Sequence, residues 1–407
     1  MIHNNRYRFT IYALVLFAHL VAAVNFIGPS PVLPIVVDEL GVSSSYAGLY
    51  VSSMTLTVTI ASIPMSILTN RFGLNKFYIA GWAILGVGVI TVFVEQFELL
   101  VLVRIVQGLG AAIILPTSAT VIMQWAPEKE IPVINTVNLS AFTAAMGVGL
   151  ILGAPVAEWL GWKILLSFEG ALGILGAVLW LLFYRSNTEQ GLARESEQAI
   201  LQQISVVFKD KTTWLLSAAV IGPWAQFIAL STWLPTYYLT ERGFDLAMAG
   251  FTTSIFTFAG LPATLFGGFL IARLGKRRPI LMVSGGLLGI TAFAAVISTA
   301  LPFIYLFVFL TGFLQWVYEP AIFTVPMELK NSTPEKASAI WAGMLTAGNA
   351  SSFVAPVIVG LLFDVTDNYL PGFILIFAIS SSLFFASVLL PETGTGGARD
   401  DLLIRDK

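Results

Sequence analysis

The chain has 407 residues, of which 57% are hydrophobic and 11% charged, with a formal net charge of -2. Ordinary soluble domains carry roughly 25% charged residues, so this composition indicates an integral membrane protein. Cysteine is absent and histidine occurs twice, at His3 and His19, which leaves little material for a metal site or a Ser-His-Asp triad. We therefore predict that the protein is not an enzyme and uses no metal or cofactor. With no long block of like charge, we expect no nucleic-acid partner.

Apolar runs recur along the chain, each approaching or exceeding the roughly 20 helical residues that cross about 30 Å of hydrocarbon. The first follows Arg6 and Arg8 in the manner of a secretory signal peptide. It continues past Asn25 and Pro29 without a polar mature segment, so we interpret it as a transmembrane helix. The pattern predicts an all-α integral membrane protein with twelve transmembrane helices. The predicted runs are 9–37, 40–70, 77–94, 99–123, 132–157, 162–184, 213–240, 246–272, 279–299, 302–327, 337–363 and 369–390.

Lysine and arginine are distributed unequally between the two sets of connections. Eighteen of the 21 basic residues fall at the termini or in the connections that follow even-numbered helices, whereas Lys163 and Arg242 occupy the opposite set and Arg104 lies inside a helix. By the positive-inside rule, both termini are predicted to be cytoplasmic, in a multi-pass protein of the cytoplasmic membrane that contacts the lipid bilayer.

An internal repeat relates the two halves of the chain. Parallel six-helix repeats of this kind enclose a site near the bilayer midplane. We predict halves at 1–184 and 212–392, a cytoplasmic linker at 185–211 with an amphipathic helix, and a cytoplasmic tail at 393–407. Three features recur at shifts of 201 to 204 residues: Arg71-Phe72-Gly73 as Arg273-Leu274-Gly275, Gly108 and Pro116 as Gly312 and Pro320, and Pro155 as Pro356.

The whole chain resembles the major facilitator superfamily of twelve-helix secondary transporters. Residues 66–76 and 268–277 resemble its loop motif G-x-L-a-D-R-x-G-r-[RK], Arg104 to Gly110 matches R-x-x-Q-G-x-G, and Pro391-Glu392-Thr393 resembles the ending after the twelfth helix. The resemblance implies alternating access with loop residues as a conformational gate. Asn70 replaces the family's acidic residue, which weakens the implied charge network. The candidate gate residues are Asn70, Arg71, Gly73, Arg273, Gly275 and Lys276.

Polar side chains inside the predicted helices are the candidate substrate or coupling residues. Arg104 is either an anion or coupling element or a structural arginine bonded to helix carbonyls. Glu319 is either a protonatable carrier or a structural partner, and His19 either a proton relay or a packing residue. Glu169 is expected near the outer interface, solvated or merely paired. The candidate set is Arg104, Gln107, Glu319, His19, Asn25, Asn138, Trp224, Gln226, Gln315, Trp316 and Asn349.

These residues favour a secondary transporter, working as a monomer, that moves a small solute by alternating access and is coupled to protons. One buried arginine with few acids favours a small organic anion, whereas attraction to Glu319 would favour a multidrug-type exporter of lipophilic or cationic compounds. A channel would more naturally show rings of like charge along the pore. A membrane receptor would more naturally carry a sizeable soluble domain.

Overall fold

A computed structural model describes residues 7–127, 130–184, 211–329 and 334–394. The predicted linker helix and residues 395–407 lie outside the described residues. The described residues form helices and contain no strand. The α-helices are α1 Tyr7–Ile27, α2 Leu33–Leu40, α3 Ser44–Phe72, α4 Leu74–Leu85, α5 Phe97–Trp125, α6 Ile131–Leu160, α7 Trp162–Phe183, α8 Lys211–Arg242, α9 Leu246–Phe258, α10 Gly260–Leu274, α11 Arg278–Ile297, α12 Leu301–Val317, α13 Glu319–Glu328, α14 Pro334–Thr366, α15 Leu370–Ser380 and α16 Ser382–Leu389.

Eleven helical stretches of the described residues are long and apolar enough to cross a membrane. The remaining predicted span corresponds to α3, which has 29 residues and is rich in serine and threonine. Its hydroxyls bond within the helix, as where Ser52 and Thr57 donate to the carbonyls of Gly48 and Ser53 at 2.8 and 2.9 Å. Internal bonding of this kind makes a polar helix tolerable in lipid, so the twelve-helix prediction is confirmed.

The contacts divide the chain into two compact units, Met1–Arg194 with Tyr238–Ser254, and Glu195–Tyr237 with Ile255–Lys407. Each unit has its own hydrophobic core. Trp82 and Trp180 lie in the core of the first unit, and Leu216 and Tyr318 lie in that of the second. The domain limits predicted from the sequence stay a prediction.

The internal repeat is visible in the packing of equivalent glycines. A Cβ on Gly108 of α5 would meet the carbonyl oxygen of Met54 in α3 at 2.9 Å, and a Cβ on Gly312 of α12 would meet the carbonyl oxygen of Phe256 in α9. In each case the glycine lets two helix backbones approach closely. The same contact therefore recurs one repeat later, in agreement with two six-helix pseudo-repeats.

Five of the described spans are interrupted, including the eighth at Ala259 and the twelfth at Ser381. The first breaks at Gly28–Pro29, where a short 3₁₀ turn, Ser30–Val32, separates α1 from α2. The tenth breaks at Tyr318, between α12 and α13. The third continues from α4 as an eight-residue 3₁₀ helix, Gly86–Phe93. At about 2.0 Å per residue instead of 1.5 Å, that segment lengthens the span by about 4 Å.

A glycine seam joins the third and sixth spans. A Cβ on Gly88 would stand 3.1 Å from the Cα of Gly170, and a Cβ on Gly173 would stand 2.7 Å from the nitrogen of Gly86. Real Cβ atoms do not make contacts as short as the second. The seam therefore brings the backbones of α7 and the 3₁₀ helix together without intervening side chains and fixes the position of Glu169, next to Gly170.

Candidate functional site

The polar centre of the first unit forms where α1 ends. Proline has no N–H, so Pro29 cannot donate the helical hydrogen bond to the carbonyl of Asn25, four residues earlier. Arg104 replaces that donor from α5, with Nη1 at 2.7 Å from the Asn25 carbonyl oxygen, and its Nη2 donates to the carbonyl of Phe26 at 3.4 Å. A cation at a helix C-terminus also interacts favourably with the helix dipole. The arginine thus caps the broken helix.

Gln107 links Arg104 to the side chain of Asn25. Its Oε1 accepts from Arg104 Nη1 at 3.3 Å, and its Nε2 donates to Asn25 Oδ1 at 2.8 Å. Asn25 Nδ2 in turn donates to the carbonyls of Val21 at 2.9 Å and Glu169 at 3.1 Å. The Gln107 amide lies against Gly88, where a Cβ would collide with it. Three of the predicted site residues, Arg104, Gln107 and Asn25, therefore form one buried network.

The Arg104 guanidinium keeps unused hydrogen-bonding capacity. Arg104 is 3% exposed, and its Nε has no hydrogen-bond partner. The ring of Tyr50 lies with its centroid 5.9 Å from Arg104 Cζ, close enough for a cation–π contact. Within the described residues no carboxylate forms a salt bridge with Arg104. A buried guanidinium with a free N–H can accept an oxyanion.

Glu169 corrects an expectation drawn from the sequence. It was expected to be solvated or paired near the outer interface, but it is 4% exposed. Its carboxylate packs against the backbone of Gly28 at the break in the first span. The charges of Glu169 and Arg104 are near enough to interact, without a direct salt bridge. Distance along the helix could not reveal this burial, because the bend of the first span covers the carboxylate.

Glu319 stands at the interruption of the tenth span. It is the first residue of α13, directly after the break at Tyr318 and before Pro320. The side chain is half-buried and makes no hydrogen bond or salt bridge within the described residues, and no cation lies near it. The N-terminus of a helix favours a negative charge. The position therefore suits a carboxylate that exchanges between charged and protonated forms.

Aromatic and amide groups surround this break in the second unit. Trp316 packs edge-on against Phe227, with ring centroids 5.3 Å apart, and its Nε1 has no hydrogen-bond partner. The Tyr318 hydroxyl and Gln315 Oε1 are also buried beside it. Trp224 packs flat over Gly348, where a Cβ would meet its ring. Trp316, Gln315 and Trp224, all predicted site residues, thus lie close to the interruption that carries Glu319.

The remaining predicted residues are placed less centrally. His19 Nδ1 lies 2.9 Å from the carbonyl oxygen of Val15 on its own helix. Asn138 is 2% exposed, and its Nδ2 has no partner. Gln226 Nε2 makes a long hydrogen bond of 3.5 Å to the Leu288 carbonyl. Asn349 is half-buried and makes no hydrogen bond within the described residues.

The two copies of the predicted gate motif end their helices in the same way. Gly73 has φ of 92° and Gly275 has φ of 63°, a conformation that favours glycine. The arginine two residues earlier, Arg71 or Arg273, is exposed in the last turn of its helix. Lys276 is half-buried. The side chain of Asn70 lies outside the described part of the chain.

Arg277, which the sequence did not single out as a site residue, is the buried basic residue of the second copy. Its backbone N–H donates to Glu392 Oε1 at 2.7 Å, and its Nη1 donates to the Ile271 carbonyl at 3.1 Å. The N–H groups of Arg278 and Thr393 reach the same Glu392 oxygen at 3.3 and 3.1 Å. The motif after the twelfth span therefore folds back onto the start of α11.

Comparisons with known proteins agree with this architecture. The probable sulfoacetate transporter of Cupriavidus necator is 22% identical, with 97% of this chain and 98% of that protein aligned. The hexuronate transporter of Bacillus subtilis is 24% identical over 94% of this chain and 95% of that protein. Among solved structures, a bacterial homologue of the human lysosomal transporter Spinster, in an inward-facing and occupied conformation, matches with a TM-score of 0.78. It is 15% identical and covers 94% of this chain and 96% of that chain.

The likeness to the solved structure concerns the fold alone. A family model provides the assignment, since the model of the Major Facilitator Superfamily matches residues 15–356. This range includes the capped break of the first span and extends into the eleventh span. The chain therefore belongs to the Major Facilitator Superfamily, and it is a multi-pass membrane transporter rather than an enzyme.

Proposed function

We propose that this protein moves a small organic anion across the cytoplasmic membrane by proton-coupled alternating access, with both termini in the cytoplasm. The observation that carries the proposal is the Arg104 guanidinium, buried in the first unit with Nε unpaired. A charge inside a membrane costs at least a few kcal/mol. The hydrogen bonds of Arg104 go to two backbone carbonyls and a side-chain amide, so its positive charge has no paired anion. A bound carboxylate or sulfonate would supply one.

The names of the relatives support the same substrate class. Sulfoacetate and hexuronates are small, strongly acidic, hydrophilic compounds, and they are what the two named relatives are described as transporting. Both carry a carboxylate that matches the planar fork of a guanidinium. Arg104 is the residue to which we assign this contact.

Coupling to protons is assigned to Glu319. Its carboxylate is half-buried without a cation nearby, so it can be neutral in one step of the cycle and charged in another. Protonation and deprotonation of Glu319 would take place beside the break at Tyr318, where the helical backbone is already interrupted.

Binding can be measured first with purified protein, using D-glucuronate, sulfoacetate and a lipophilic cation in a thermal-shift titration. We expect the anions to raise the melting temperature and Arg104→Ala to abolish the effect. Arg104→Lys should weaken binding at least tenfold, because lysine cannot present a bidentate fork. Lys76→Ala, which removes an exposed basic residue, is the matched control. Stabilisation by the cation alone, lost in Glu319→Gln, would contradict the anion proposal.

Coupling can then be measured in proteoliposomes loaded with the anion that binds. Glu319→Gln should abolish accumulation driven by a proton gradient while exchange of internal for external substrate continues. Unchanged uphill accumulation in this variant would exclude Glu319 as the coupling residue and leave the substrate assignment intact.

A further inference from the structure

The first unit holds a second buried charge that substrate binding does not explain. Glu169 is 4% exposed, and its carboxylate lies against Gly28 at the break between α1 and the following 3₁₀ turn. Within the described residues the carboxylate accepts no hydrogen bond and forms no salt bridge. A buried carboxylate left unpaired in this way is costly when ionised.

The groups that face this carboxylate are Arg104 from α5 and Tyr50 from α3. Of the other segments packed against α7, residues 21–32, 86–93 and 141–157 contain no ionisable side chain, and α4 carries Lys76 and Tyr78 in its first half, away from Gly88 and Gly170. Ionised Glu169 therefore has one cation within reach. Its backbone is held by the glycine seam through Gly170, so pairing with Arg104 would come from rotation of the side chain.

The unpaired N–H of Arg104 is the group to which both ionised Glu169 and an anionic substrate could bind. Nη1 is already bonded to Asn25 and Gln107, whereas Nε is unpaired and Nη2 has one contact, at 3.4 Å. In a guanidinium, Nε and one terminal nitrogen form an edge that accepts a carboxylate bidentately. An anionic substrate and ionised Glu169 would compete for that edge.

We propose that Glu169 is a proton-controlled competitor for Arg104: ionised, it pairs with the arginine and closes the anion site, and protonated, it withdraws against Gly28 and opens the site. The inference rests on the proposed anion function and extends it with a second acidic residue. Anion binding then requires one proton on Glu169. No covalent step is involved, and the proton is taken from solvent when the anion binds.

The test is the pH dependence of D-glucuronate affinity, measured with purified full-length protein from pH 5.5 to 8.5. The carboxylate of the probe stays ionised across this range, because ordinary carboxyl groups titrate near pH 4. We expect the affinity of the wild-type protein to fall by up to tenfold per pH unit at the alkaline end. Glu169→Gln should lose this fall in affinity at alkaline pH, and Glu169→Asp should keep it. Glu95→Gln, at an exposed carboxylate, should behave as wild type.

The outcomes separate this inference from the function on which it rests. If Arg104→Ala abolishes binding but Glu169→Gln keeps the wild-type pH dependence, the competition is refuted and the anion site stands. If Arg104→Ala binds D-glucuronate as wild type does, or no anion binds the wild-type protein, both are refuted. Should Glu169→Gln fail to fold, a pH-independent affinity in Glu169→Asp would equally overturn the proposal.

Discussion

Arg277 and Glu328 form a bidentate pair, with Nη2 donating to Oε1 at 2.6 Å and Nε donating to Oε2 at 3.1 Å. The pair joins the segment before α11 to the end of α13. Because Arg277 also holds Glu392 through its backbone N–H, three separate parts of the second unit meet at this one residue. The contact is only partly exposed, so solvent screens it less than an ordinary surface ion pair.

Replacing Arg277 with lysine should destabilise the second unit. Lysine keeps the charge but cannot form two parallel hydrogen bonds, and loss of a charge-assisted hydrogen bond costs about 1.5–3 kcal/mol. We expect the melting temperature of the detergent-purified protein to fall by several degrees. Arg273→Lys, at an exposed arginine of the same motif, should change it little. Equal melting temperatures for both variants would show that the pair contributes nothing to stability.

Two adjacent glycines of α10 should respond oppositely to alanine. A Cβ on Gly267 would collide with the carbonyl oxygen of Val317, whereas a Cβ on Gly268 would meet nothing within 4 Å. Gly267→Ala should therefore cost about 1–3 kcal/mol through overpacking. Gly268→Ala should be neutral or stabilising by up to about 1 kcal/mol, because alanine favours the helix. Melting curves of the two variants provide the check, and a larger loss in Gly268→Ala would contradict this packing.

The capping of α1 by Arg104 can be tested with a double-mutant cycle. Arg104→Ala leaves the Asn25 carbonyl without a donor, a loss of about 1–3 kcal/mol for a buried group. Pro29→Ala restores an N–H that can reach that carbonyl, so Arg104→Ala should be less damaging in its presence. We expect a coupling energy of about 1 kcal/mol or more.

The control cycle pairs Arg104→Ala with Pro155→Ala, at a proline in the interior of α6. These two changes should be additive, because Pro155 does not lie four residues after the capped carbonyl, as Pro29 does. Additivity in both cycles would mean that Pro29 and Arg104 act independently.

The absence of cysteine from the sequence allows membrane orientation to be mapped with single replacements. Lys76 and Glu241 are both exposed, on connections that the positive-inside rule assigns to opposite sides. In intact cells, a membrane-impermeant maleimide should label Glu241→Cys. Lys76→Cys should be labelled only after the membrane is permeabilised. The reverse pattern would invert the proposed topology.

Hydropathy and charge were sufficient to predict the twelve spans, since a helix must fill the bilayer whatever its neighbours are. The hydrogen-bond network of Arg104, Gln107 and Asn25 could not be predicted. The carbonyl that Pro29 leaves unpaired can bind Arg104 only when α5 packs beside α1, and the sequence does not show that contact. Sequence spacing likewise gave no reason to prefer Arg277 over Arg273 as the buried arginine. The 3₁₀ helix was also missed, although its glycines and β-branched residues disfavour an α-helix.

The glycine seam between the third and sixth spans also bears on how the chain is assembled in the membrane. Insertion depends on the apolarity of each helix, whereas association afterwards depends on close packing between helices. A Gly170→Ala chain is as apolar as the native one, so it should be synthesised and inserted with normal topology. The added methyl group would nevertheless hold the backbone of α7 away from Val89. The third and sixth spans would then pack incorrectly against each other, and the fourth and fifth spans would pack around them in the wrong geometry. The seam is therefore required for helix packing after insertion. An assay that measures only the amount of inserted protein would not detect its loss.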